Sequence, residues 1–254
     1  MQRLALVKLG GSVITFKDRP LAANASAIEG IAKVLASVNM PVIIVHGGGS
    51  YGHHWSVKYD MHTKPAPYDV HGVSVVHESM VALNQIIVNA LISAGANPYA
   101  VPPPIYTVGN KPIASKIKDV YAMAKNGVMP VTFGDVVHMG GRKYSILSGD
   151  SLMTILAHAL KPSRIVFATN ADGIYKSMET REVVPELSPR SKVKFSKVAG
   201  ADVTGGMQRK VREAFKIASL GMDVMLVNGL VPKRIAQAVQ GRMEVGTTVK
   251  ERKR

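Results

Sequence analysis

Four glycine-containing turns mark where this 254-residue chain could do chemistry. Three close β-type runs: Lys8-Leu9-Gly10-Gly11-Ser12, His46-Gly47-Gly48-Gly49-Ser50 and Thr169-Asn170-Ala171-Asp172-Gly173. The fourth, Thr204-Gly205-Gly206, precedes a helical pattern. Glycine lets a backbone approach phosphate oxygens with no Cβ in the way, and helix starts offer unpaired N–H donors to an anion. One such turn is an ordinary strand-to-helix connection. Four in one chain point to phosphate binding. The second turn also spells Gly47-x-Gly49-x-x-Gly52, a literal match to the dinucleotide-binding fingerprint. That fingerprint needs an acidic residue about 20 positions on, at the end of a second strand; Asp69 instead closes the proline-rich segment Lys64–Asp69. A nicotinamide or flavin site is therefore unsupported, and the P-loop pattern G-x-x-x-x-G-K-[ST] does not occur. His62, His71, His77, His138 and His158 show no metal-ligand spacing and are expected to have no role.

The elements that must carry these turns follow from hydrophobic periodicity. Leu4–Leu9, Pro41–Val45, Val128–Phe133, Arg164–Thr169 and Asp223–Val227 are short apolar runs flanked by Gly, Pro or Asn, and they read as buried strands. Ala25–Val38 places Ile28, Ile31, Ala32, Leu35 and Val38 on one helical face; Val73–Leu91 does the same with Val73, Val76, Met80, Leu83 and Ile87. Ser115–Asn126, Asp150–Leu160, Met207–Leu220 and Pro232–Val239 complete the helices. Strands alternating with helices predict an α/β fold: a three-layer αβα sandwich with a mostly parallel central sheet. In such sheets ligands gather beyond the carboxyl ends of the strands, where the glycine turns lie. Gly140-Gly141, inside Val136–Leu147, signals a hairpin, and Tyr175–Val203 is the most polar connection. The chain reads as one domain over residues 1–254; any seam between two lobes falls near Lys161–Arg164.

Composition excludes several classes of function. With 46% apolar residues the chain can bury a core, and with no cysteine it has no disulfide, thiolate metal site or cysteine nucleophile. The N-terminal apolar run is too short for a signal peptide and no later stretch approaches roughly 18 uncharged apolar residues, so a cytoplasmic protein is expected. A net charge of +15 allows a nucleic acid, an acidic membrane or a polyanionic small molecule as partner. The basic runs Lys192–Lys197 and Lys250–Arg254 are the best argument for nucleic acid. They lack a recognition motif, and no aromatic residues interleave with them regularly for base stacking.

Lys8-Leu-Gly-Gly-Ser12, His46-Gly-Gly-Gly49, Ser148-Gly-Asp150, Asp172-Gly-Ile-Tyr175 and Asp202-Val-Thr-Gly-Gly-Met207-x-x-Lys210 together resemble the amino acid kinase superfamily, in order and spacing, over essentially the whole chain. Within it, Lys8-Leu-Gly-Gly-Ser-Val-Ile-Thr-x-Lys17 and His46-Gly-Gly-Gly-Ser-Tyr-Gly-His53 are similar to the isopentenyl phosphate kinases. Fosfomycin kinases share the terminal histidine and are the alternative. The resemblance implies an acceptor lobe of about residues 1–162, a nucleotide lobe of about 163–254, ATP and Mg²⁺ as cofactors, and a homodimer.

It also implies transfer of the ATP γ-phosphoryl group to the phosphate of isopentenyl phosphate. An acceptor phosphate has already lost its proton at neutral pH, so the chemistry needs positioning and charge stabilisation and no general base. By resemblance, Lys8 and Lys210 hold the ATP phosphates, Lys17 stabilises the transferring group and Asp150 orients the lysines. The nucleotide site would comprise Lys8, Gly10, Gly11, Ser12, Gly49, Thr169, Asp172, Gly173, Tyr175, Gly205, Gly206 and Lys210. The acceptor phosphate would meet Gly48, Gly49, Gly52, His53 and Gly149, with Val76, Met80 and Ile146 along an apolar slot for its tail. Asn170 stands where relatives commonly have Asp, which removes a charge from the nucleotide end. Mg²⁺ would ride on the ATP phosphates with waters and few protein ligands, and the sequence names no side-chain ligand for it.

Overall fold

The computed structural model describes residues 2–177, 179–188 and 206–251. Parallel strands β1 (Gln2–Leu9), β2 (Val42–His46), β6 (Met129–Phe133), β9 (Pro162–Thr169) and β11 (Val224–Asn228) form the body of an eight-stranded sheet. The short strands β3 (Pro98–Ala100), β12 (Thr247–Val249) and β10 (Glu186–Leu187) complete the order β10-β12-β11-β9-β1-β2-β6-β3, with β10 and β3 at its edges. Only the β11–β12 junction is antiparallel. Two small antiparallel pairs lie outside it: β4 (Thr107–Val108) with β5 (Lys111–Pro112), and β7 (Asp135–His138) with β8 (Tyr144–Leu147).

Period-two alternation in β1 divides the core. Leu4 and Leu6 face a layer containing α5 (Ala114–Lys125), α6 (Gly149–Leu160) and α7 (Gly206–Ala218). Ala5, Val7 and Leu9 face α2 (Ala25–Ala36), α4 (Val70–Ser93) and α8 (Pro232–Val239). Strands apolar on both faces need helices on both faces, and each fully buried Val, Leu or Ile contributes about 1.5–3 kcal/mol. The expected three-layer αβα sandwich is the fold observed. The five expected buried strands all form, within a few residues of their expected ends, as do all six expected helices. The hairpin turns at Gly140 and Gly141, whose φ angles of +96° and +57° favour glycine.

Besides the short strands, three helices depart from expectation. A one-turn α1 (Gly11–Ile14) and a ten-residue α3 (Gly49–Lys58) follow the first two glycine turns directly. α4 is long and apolar enough to cross a bilayer, which the sequence reading did not anticipate. Here Leu83, Ile87 and Leu91 bury its apolar face in the core, as in the core helix of a globular domain. The basic run Lys192–Lys197 and residues Arg252–Arg254 lie outside the described residues; Lys250 pairs with Glu186 at 3.0 Å.

Candidate active site

Lys8 shares the sheet face of Leu4 and Leu6, so its side chain runs toward α6. There its Nζ donates to Asp150 Oδ1 at 2.5 Å, with both residues buried. Asp150 occupies the first turn of α6, where the helix dipole favours an anion, and Ser148 caps that helix by accepting from the Ser151 N–H. Two further cations approach the other carboxylate oxygen: Arg209 Nε at 3.6 Å and Lys210 Nζ at 3.9 Å, both from near the start of α7. Burial pushes Asp150 up, but Lys8, Lys210 and Arg209 together outweigh it and hold the carboxyl below its usual range. Burial lowers Lys8 to about 8, reinforced by Lys210 and Arg209 and opposed by Asp150. Three cations around one carboxylate leave a surplus of positive charge, which suits a polyphosphate. Arg209 was not among the expected residues; its signal was its place beside Lys210 in the Gly-Gly-Met motif.

The glycine turns converge on this cluster. A Cβ on Gly10 would meet the Ala168 carbonyl at 2.7 Å, one on Gly11 the Gly49 nitrogen at 2.3 Å, and one on Gly149 the His46 carbonyl at 2.8 Å and Lys8 Nζ at 3.1 Å. The ends of β1, β2 and β9 and the start of α6 are thus in backbone contact, a packing that side chains would prevent. Thr15, also unforeseen, fastens the first two turns: its hydroxyl donates to Gly11 O at 2.8 Å and accepts from the Ser50 N–H at 3.0 Å. His46 is fully buried and stacks on Phe133, with Nε2 3.2 Å from Asn84 Oδ1. Its burial pushes the imidazole down to about 4, so it stays neutral.

Gly48, Gly49 and Gly52 begin α3, which has no side-chain cap. Met80 closes over them, its Sδ 3.0 Å from where a Cβ on either Gly48 or Gly52 would stand. His53 lies four residues past Gly49, on the same helical side, and is exposed, as is His54. Val76 packs with Met61 and Val136 into a small apolar cluster backed by Trp55, Tyr59, Tyr68, Val73, Tyr144 and Ile146. Of the expected slot residues, Met80 stands against the second glycine turn and Val76 and Ile146 belong to this cluster, which Met61 and Val136 join from positions the periodicity did not single out. Lys17 sits exposed on the loop after Thr15.

At the far end, Ser12 Oγ donates to Asn170 Oδ1 at 3.2 Å, joining the first and third turns. The Thr169 hydroxyl donates to Ala171 O and closes its own turn. Gly173 packs against Thr247, and the Tyr175 hydroxyl accepts from the Asp172 N–H at 3.1 Å. Asp172 is held by Asn228, at 2.9 Å, and by Arg234. Asn228 in first place and Arg234 after it keep the carboxyl below its usual range. Gly206 starts α7 and its carbonyl accepts from Lys210; Gly205 lies outside the described residues.

The chain as a whole has counterparts among known proteins. The model of the amino acid kinase family matches residues 3–228. The chain belongs to the amino acid kinase family. Among members of that family, it is similar to the isopentenyl phosphate kinase of Thermoplasma acidophilum, 34% identical over 251 residues that cover 97% of this chain and 100% of the relative. The enzyme of the same name from Methanothermobacter thermautotrophicus is 29% identical over 97% of this chain and 98% of its own length. A crystal structure of an isopentenyl phosphate kinase substrate complex superposes with a TM-score of 0.81 at 29% identity, covering 98% of this chain and all of that one. The expected family assignment and the amino acid kinase fold are both borne out.

Proposed function

We propose that this protein transfers the γ-phosphoryl group of ATP to the phosphate of isopentenyl phosphate, giving isopentenyl diphosphate and ADP. The observation that carries this reading is the cluster of Lys8, Lys210 and Arg209 around buried Asp150, at the point where the glycine turns meet. An acceptor phosphate oxygen attacks the γ-phosphorus as the bond to the β-γ bridging oxygen breaks. Because a phosphate monoester's second proton leaves near pH 6, the nucleophile is already ionised and no base is required. The obstacle is repulsion between two polyanions. Lys8 and Lys210 offset it at the ATP phosphates, Lys17 at the group in flight, and Asp150 fixes the lysines by charge-assisted hydrogen bonds. Gly10, Gly11, Ser12 and Gly49 face the triphosphate; Thr169, Asp172, Gly173, Tyr175, Gly205 and Gly206 serve the nucleotide end.

The acceptor phosphate rests on the amides at Gly48, Gly49, Gly52 and Gly149, with His53 donating to it. The apolar cluster around Val76 supports a hydrocarbon tail, as do the names of the relatives. Five carbons at about 0.8 kcal/mol each supply at most ~4 kcal/mol, so phosphate contacts dominate affinity. Among the described residues no three His, Asp or Glu side chains come together, and Asp150 already serves three cations. Mg²⁺ would therefore be held by ATP's own oxygens and water, and when bound would neutralise phosphate charge. The reading includes an acceptor lobe of about residues 1–162, a nucleotide lobe of about 163–254, a cytoplasmic location and a homodimer.

ADP release measured with ATP·Mg and isopentenyl phosphate, fosfomycin, acetylglutamate or UMP tests the proposal. Isopentenyl phosphate should be strongly preferred, and replacing Lys8, Lys17 or Lys210 by Ala should lower kcat roughly 10²–10³-fold. Preference for any of the other three acceptors would overturn it.

A further inference from the structure

Outside the cation cluster, one buried carboxylate has no part in the mechanism above. Asp135 begins β7 with its side chain wholly buried. One oxygen accepts from the Val136 N–H at 2.7 Å, and the other lies 2.7 Å from His77 Nδ1. His77 stands on α4 with its ring about half exposed. Among the described residues this is the one side-chain hydrogen bond that joins α4 to the β7–β8 hairpin. The flanking residues give it meaning: Val76 precedes His77 on α4, Val136 follows Asp135 on the hairpin, and these two valines meet in the apolar cluster. One turn farther along α4, on the same side, Met80 covers Gly48 and Gly52. The pair thus ties together the two elements that bound the space beside the second glycine turn.

We propose that His77 is a positioning residue that, through its hydrogen bond to Asp135, fixes the spacing of the walls of the acceptor's apolar slot and so limits the length of hydrocarbon tail accepted. This rests on the functional reading above. Apolar contact alone is non-directional and lets two surfaces slide. A short hydrogen bond between an imidazole and a carboxylate buried without other side-chain partners has a definite length and direction. The hydrogen bond to Asp135 raises His77 above its ordinary value, while burial raises Asp135, with His77 opposing that rise. The partner is thus the leading influence on His77, and burial the leading influence on Asp135.

The test is steady-state kinetics with isopentenyl phosphate and with the eight-carbon octyl phosphate, reading the ratio of kcat/KM for the two acceptors and the KM for ATP. Three variants are compared: His77→Ala, the rescue His77→Asn, which keeps an N–H donor near the position of Nδ1, and the double variant His77→Leu/Asp135→Asn, which avoids burying a lone charge. Loss of the pair should raise the KM for isopentenyl phosphate about tenfold, shift the ratio at least tenfold toward octyl phosphate and leave the KM for ATP within twofold; His77→Asn should restore the wild-type ratio. An unchanged ratio in folded His77→Ala or double-variant protein, or equal losses for both acceptors and ATP, would reduce the pair to a structural brace and overturn the inference alone. A wild-type protein that phosphorylates neither acceptor would overturn the functional reading and the inference together.

Discussion

Lys8 is a cation whose surroundings push it toward neutrality. Burial, with Lys210 and Arg209 nearby, brings it to about 8, from an ordinary value of 10.5. Between those two values the unfolded chain holds more protons than the folded one, so this group's contribution to stability grows as pH rises through that window. Nucleotide affinity should run the other way. Above pH 8 the empty site has lost its Lys8 proton, and a polyphosphate must draw it back on binding. The KM for ATP is expected to rise up to about tenfold per pH unit above 8, with proton uptake visible by calorimetry in buffers of different ionisation enthalpy. Lys8→Arg, which cannot deprotonate, should flatten that profile even if it lowers kcat; a sloping profile in the variant would assign the titration to another group. At this scale the sequence was informative where a residue stands in a short motif at the end of a strand or the start of a helix, as Lys8, Asp150 and Lys210 do. Arg234, Asn228 and the His77–Asp135 pair escaped it because their partners lie far away in sequence, and spacing carries no trace of such contacts.

Among the elements, those with a periodic apolar face were legible and those without were not. The helix Gly49–Lys58 buries only Ser50 and Tyr51, so no stripe betrays it, although it carries the glycines and His53 of the proposed acceptor site. The short strands β3, β10 and β12 are two or three residues long, too short for any alternation to register. Thr15 shows how such elements are aligned, since one hydroxyl links the starts of α1 and α3. Thr15→Val keeps the shape, removes both hydrogen bonds and leaves the buried Ser50 N–H without a partner. Urea unfolding should show a loss of about 1–3 kcal/mol, accompanied by a higher KM for the acceptor phosphate. A loss below about 0.5 kcal/mol would mean that water replaces the hydroxyl and that the two turns align without it.

For the whole molecule, the three lysines and Arg209 account for only a small part of the surplus of +15. Two anionic substrates give the remainder a use, because a positive field raises their encounter rate over distances longer than any contact. The kcat/KM for either substrate should fall as ionic strength rises from about 0.01 to 0.15 M, over which the screening length shrinks from roughly 30 to 8 Å. A flat response measured by varying KCl would leave the charge without a kinetic purpose.

The sheet order has a consequence for how the protein is made. β1 lies between β2 and β9, and residues 10–161 separate it in the chain from β9. On the ribosome, the strand that carries Lys8 emerges long before one of its two neighbours exists, so until β9 arrives β1 presents an open, apolar edge. Pairing at such sequence separation is slow, because loop closure precedes any reward from contacts. Nascent chains stalled before residue 162 would thus display an aggregation-prone surface, and they would lack the third glycine turn of the proposed nucleotide site, so that site could be completed only after the most vulnerable phase of synthesis has passed.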